Sequence, residues 1–180
     1  MTHPAPREAA QSPFALLLHP SSVPVVDVFR SKSELEFTHD LKLAHEAELE
    51  LGGWTTGALS KAIISDAILL AFSLSREREE LLHYRQQGSR LTSPDERRLI
   101  ALVSAVLVGE EAIALAAATL GVPAGGLCSV AAANLASQIK QAGLPWPSLY
   151  ALQEPIVRTS PEEKVVPPSG GDDAAFQFKS

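Results

Sequence analysis

Cysteine is almost absent from this chain: Cys128 is the single one among 180 residues, which excludes an intramolecular disulfide and fits a cytoplasmic setting. Short motifs that carry a mechanism are missing too. There is no GxGxxG, no Walker loop, no CxxC and no GxSxG. Cys128 stands in an alanine-rich stretch with no adjacent His, Lys or Arg to lower its pKa, so it reads as a small buried hydrophobe rather than a nucleophile. Positive charge is in short supply. A net charge of −6 argues against indiscriminate attraction to nucleic acid or an anionic membrane. No charge-free run reaches the about 18 residues a membrane-crossing helix needs, because Glu110 and Glu111 interrupt the contender at residues 99–120. The apolar run at residues 14–18 is too short for the core of a signal peptide. Gly125, Gly126 and Leu127 follow no predicted strand and suit close packing rather than a phosphate cradle. Asp66 and Glu110 are carboxylates within apolar stretches, but nothing in the sequence brings them together. No catalytic residue, cofactor or metal is expected, and the inventory points away from an enzyme.

What the chain does have is a long, well-punctuated apolar stretch at residues 93–143. Ser93 with Glu96 forms a capping box, Pro94 occupies the first helical position, and Gly143 followed by Pro145 ends the run. An unbroken helix through residues 94–120 would set Glu110 on the same stripe as Leu99, Val103, Val106, Ile113, Ala117 and Leu120. A buried, unpaired carboxylate costs several kcal/mol or takes up a proton. A break at Gly109 instead places Glu110 and Glu111 in the first turn of a new helix, where the macrodipole favours them. With a turn at Gly121, Val122 and Pro123, the stretch becomes three short helices, the third over residues 124–142.

Within it, Ala117 as the small residue, Gly121 in the turn, and the apolar Ala116, Leu120, Val122, Leu127 and Val130 resemble the sequence pattern of helix-turn-helix DNA-binding proteins. The resemblance implies a DNA-binding regulator using residues 110–140, with residues 124–142 as its recognition helix. That helix, however, presents Pro123, Ala124, Gly125, Gly126, Cys128 and Ser129 and has no Arg or Lys before Lys140. Base edges call for Arg, Lys, Asn or Gln, and phosphates call for positive charge.

From the start of the chain, residues 1–33 carry Pro4, Pro6, Pro13, Pro20 and Pro24 without helical periodicity and read as an irregular arm. Its apolar pieces, residues 14–18 and 23–29, are expected to dock in extended form, with His19 as a turn residue. A helix is predicted over residues 34–51, opened by Ser33 and Glu36 and closed by Gly52 and Gly53. Period-2 alternation in the same residues offers a pair of strands as the competing reading. His39, Asp40, His45 and Glu46 do not make a metal site there, since histidines six apart lie roughly 120° out of phase on a helix. A longer helix is predicted over residues 56–87, apolar nearly all round to Leu74 and charged beyond Ser75, its second half projecting or meeting a partner. After Gly143, Trp146, Leu149, Tyr150 and Leu152 form a latch with a short helix starting near Pro147. Residues 154–180 shift to Pro, Gly, Ser and charge and read as a disordered tail carrying Phe176 and Phe178 near its tip.

The sequence thus predicts an all-α protein, a compact bundle of about five to six helices over residues 34–153. Its surplus apolar surface points to a non-enzymatic module that self-associates or engages a further protein, with Leu69, Phe72, Trp146, Phe176 and Phe178 as interaction residues. Nucleic acid is the alternative partner, disfavoured by charge; a membrane is not expected.

Overall fold

The computed structural model describes residues 16–32, 35 and 42–153. Among them the chain is all-α, with seven α-helices and no strand; the one β-like feature is an isolated antiparallel bridge between Leu17 and Leu91. A 3-10 turn, Pro20–Ser22, leads into α1, Val23–Arg30. Then come α2, Lys42–Gly52, and α3, Gly57–Glu77, which Thr56 opens by accepting the Leu59 N–H. After a non-helical segment, α4 spans Pro94–Ala105, α5 Glu110–Leu120, α6 Leu127–Gln141 and α7 Leu149–Gln153.

The capping box at Ser93 forms in full: the Glu96 N–H donates to Ser93 Oγ at 3.1 Å, and the Ser93 N–H donates to Glu96 Oε2 at 2.8 Å. The break expected at Gly109 is also present. Gly109 has φ +142° and ψ 178°, a region essentially closed to residues with a Cβ, and it starts α5 with Glu110 and Glu111 in the first turn. Gly121 ends α5 in the left-handed region at φ +81°.

α3 is the central element. Its inner face, Ile63, Ile64, Ala67 and Leu70, is fully buried, and α1, α2 and α6 pack around it. α4 carries α5 on one side and also meets α6 and α7, so α5 rests chiefly on α4 while α6 lies along α3. A smaller apolar cluster of Leu18, Val23, Val26, Ile100 and Leu152 closes the end where the N-terminal residues and α7 meet. Ser22 Oγ donates to the Pro145 carbonyl and Ser104 Oγ to that of Pro147, each at 2.7 Å, which pins the latch in place.

Three expectations need correction. The segment read as an irregular arm contains α1, with Val25 and Phe29 deep in the main core. Pro24 lies in the first turn, where its missing N–H costs nothing, so this proline starts a helix rather than preventing one. Residues 16–18 do lie extended, the Leu16 carbonyl accepting from the Thr92 N–H and the Leu18 N–H donating to the Arg90 carbonyl. The helix predicted to reach residue 87 stops at Glu77, and residues 78–93 run non-helical across the surface. Finally, α3 is itself long and apolar enough to cross a membrane by length and composition, so residues 99–120 were not the only contender; much of its inner face is occupied as the core of this fold. The capping box of Ser33 and Glu36 lies outside the described residues, as do His39 and Asp40, whereas Lys42–Gly52 is helical and not a strand pair.

Candidate functional site

Among the described residues a buried polar cluster centres on Arg30 and Glu96, whose side chains are 0% and 1% exposed. Arg30 Nε and Nη2 donate to the two Glu96 oxygens at 2.8 and 3.1 Å, and Nη1 donates to Asp27 at 2.9 Å. The remaining guanidinium protons go to the carbonyls of Ser89 and Leu91 at 2.7 and 3.3 Å. Glu96 also accepts from the Arg85 and Ser93 N–H groups, each at 2.8 Å. Every guanidinium donor is used, and both carboxylate oxygens accept twice. Burial alone would lower the Arg30 pKa, but Glu96 and Asp27 raise it instead. A group this fully engaged has no lone pair or proton left for substrate. Its role is to fasten residues 78–93: Asp95 accepts from the His83 N–H at 2.8 Å and Asp27 from the Gly88 N–H at 2.9 Å on the same segment.

A second constellation forms where α3 ends and α6 begins. Glu77 accepts from the Leu127 and Cys128 N–H groups at 2.5 and 3.0 Å, capping α6 from another helix. Desolvation pushes the Glu77 carboxyl up, but the bonds from Cys128 and Leu127 outweigh it and hold the carboxyl below its usual range. Burial and the facing carboxylate push the Cys128 thiol up to about 12. The thiol is fully buried and held in its protonated form, which suits a packing residue and not a nucleophile. Gly126 makes room for this cap, since a Cβ there would stand 2.7 Å from Glu77 Oε2.

The surfaces are more open to a functional reading. Leu69 and Phe72 sit one turn apart on the outer face of α3, exposed by 56% and 38%. Leu127 and Val130 occupy the outer face of the neighbouring α6, exposed by 52% and 58%. Between Lys61 and Arg76 the exposed positions of α3 are Ser65, Leu69, Phe72 and Ser75, and on α6 Asn134 and Ser137 follow Val130 before Lys140. The exposed positions of both outer faces are therefore uncharged over several turns, and the partly buried Asp66 lies one turn before Leu69 at the edge of the α3 face. Trp146 is half-buried between the two apolar clusters, and its buried indole N–H has no protein acceptor among the described residues. Leu149 and Leu152 pack inward with it, whereas Tyr150 stays largely in solvent. Phe176 and Phe178 lie outside the described residues.

A separate groove of about 330 Å³ runs between α4, α5 and α7, floored by Ala101, Leu115, Ala116, Leu149 and Leu152 with Arg97 and Arg98 beside it. Sequence reasoning missed it because its walls come from three helices and its floor from residues each too common to stand out. The same reasoning missed the Arg30–Glu96 pair, whose members are 66 residues apart. Among the described residues no group of three or more His, Cys, Asp or Glu is placed to hold a metal ion. No protein-family model, no curated protein and no solved structure matches this chain.

Proposed function

We propose that the protein works without chemistry of its own, as a helical module that associates with a second copy of itself through the outer faces of α3 and α6. The observation that carries this reading is the exposure of Leu69, Phe72, Leu127 and Val130 on two helices that pack side by side. Clusters of exposed apolar side chains mark contact sites. The occupant follows from charge. A two-fold interface lays a patch against itself, so any charge in its middle would meet its like. The chain as a whole carries −6, yet the exposed positions of these outer faces carry no charge over several turns. A further protein partner and a cytoplasmic setting belong to the same proposal.

The test is molecular mass by light scattering from micromolar concentration upward. A dimer or higher oligomer is expected, and Leu69→Glu, Phe72→Glu or Val130→Glu should each shift it towards monomer with an unchanged circular dichroism spectrum. All three side chains face solvent, so the exchanges leave the core intact. A strictly monomeric mass overturns the proposal, and so does an oligomer indifferent to all three.

A DNA-binding regulator built on residues 110–140 has less support. α5 rests chiefly on α4, and the start of α6, where a recognition helix would meet phosphate, already holds the Glu77 carboxylate. An electrophoretic shift at low salt that disappears with the Lys140→Glu variant would favour this reading over self-association.

A further inference from the structure

We propose that the groove between α4, α5 and α7 receives an acidic, aromatic segment of the same chain, residues 172–178. The groove offers an apolar floor of Ala101, Leu115, Ala116, Leu149 and Leu152 and, beside it, Arg97 and Arg98. Residues 172–178 read Asp-Asp-Ala-Ala-Phe-Gln-Phe. Two carboxylates are followed by two phenyl rings, at a spacing that would put both on one side of a backbone bound in extended form. The order of chemistry in the segment therefore complements that of the groove, with anions for the arginines and rings for the floor.

Where the described chain stops strengthens the assignment. Leu152 lines the groove and Gln153 ends α7, so the connection towards residue 172 starts at the groove itself. Residues 154–171 reach at most about 60 Å when fully extended, more than is needed to fold back. A short covalent connection also supplies the segment at an effective concentration of roughly millimolar, so a weak fit is enough to keep it bound. The arginines are suited to receive carboxylates. Arg97 Nη2 donates to the Leu152 carbonyl beside the groove, and Arg98 keeps its side chain 45% exposed while one of its nitrogens binds Asp95 at 2.9 Å. The inference does not depend on self-association through α3 and α6, because it uses another face of the molecule.

Cross-linking of the full chain tests it. The native Cys128 thiol is buried, with its pKa near 12, and stays silent towards maleimides. One variant combines Thr119→Cys, at the groove, with Gln177→Cys between the two phenylalanines; a control pairs Gln177→Cys with Ser137→Cys on the outer face of α6. Both receiving positions are exposed, so neither exchange disturbs the core. With a short bismaleimide, the intramolecular 119–177 product is expected to form, and Phe176→Ser with Phe178→Ser to slow it at least about tenfold while the 137–177 rate does not fall, since the released segment gains access to other faces. Arg98→Glu should also slow it, and adding Asp172→Arg and Asp173→Arg should restore the rate. A 119–177 rate indifferent to removal of the rings overturns the proposal. Cross-linked dimers in place of the intramolecular product overturn the same-chain assignment in favour of a neighbouring copy.

Discussion

At the scale of single residues, the contact between Glu77 and the start of α6 has the most specific consequences. A charged acceptor at a helix N-terminus contributes about 1 kcal/mol, so Glu77→Gln is expected to lower stability by about that amount in urea unfolding. Gly126→Ala should cost a similar amount, because the new Cβ displaces the carboxylate, and the two losses should not add. In a Glu77→Ala background the same Gly126→Ala exchange should become neutral or slightly stabilising. Gly109→Ala is a different case: open space surrounds the position, but φ +142° is hostile to any Cβ, so a loss of about 1–3 kcal/mol is expected. A gain in stability there would contradict the observed break between α4 and α5.

Acid sensitivity follows from the same residues. Desolvation pushes Asp95 up, but the His83 bonds and the charges of Arg98 and Arg78 hold it below its ordinary 3.8, and Glu77 lies below its ordinary 4.5. Both carboxyls thus bind protons more weakly in the folded chain than in the unfolded one. Their stabilising contribution is complete above the unfolded values and is lost as pH falls through the folded ones. Tm should be nearly flat from pH 7 to about 5 and fall below 4.5. Glu77→Gln should make the decline shallower. Asp66 acts in the opposite direction, since burial alone raises it; Asp66→Asn should therefore raise Tm at neutral pH.

At the scale of elements, helix boundaries with a local signal were easier to read in the sequence than those set by tertiary contacts. Ser93 with Glu96 and Gly109 with Glu110 carry their signals within four residues, and the structure follows both. The end of α3 had no such mark. Residues 75–87 are rich in helix-forming side chains, yet the chain leaves the helix at Arg78, which adopts an extended conformation while its Nη1 donates to the Leu120 carbonyl at 2.6 Å. Tertiary bonds from Glu96, Asp95 and Asp27 to backbone N–H groups then replace the helical ones. Local propensity loses to long-range acceptors, and the positions of those acceptors are invisible in a linear string. Arg30→Met tests the fastening. Leaving Glu96 buried without its cation should cost about 3–5 kcal/mol, and amide exchange at Arg85 and Ser93 should accelerate before that of α3. Protection at those amides equal to the parent's would refute the fastening role.

At the scale of the whole molecule, the all-α class followed from composition and period, and about half of the main core lies on the apolar faces of residues 59–74 and 94–120. The groove did not, because it exists only once α7 folds back over α4 and α5. The outer faces of α3 and α6 were half legible: the excess of apolar residues was plain, but which of them face outward depends on the partners that cover the rest. Leu70 and Leu69 are neighbours of equal hydropathy, one fully buried and the other mostly exposed.

The Arg30–Glu96 pair also bears on the order in which the chain assembles. Arg30 is made long before Glu96, and α1 packed into the core without α4 would bury a cation left with Asp27 alone. Such a partly built state is penalised by several kcal/mol, and closing a connection of 66 residues carries its own entropic cost before any reward. The pair therefore disfavours half-folded species in which either helix is docked alone. A fully satisfied ion pair in the interior thus makes folding more nearly all-or-none than the short, separate helices would by themselves.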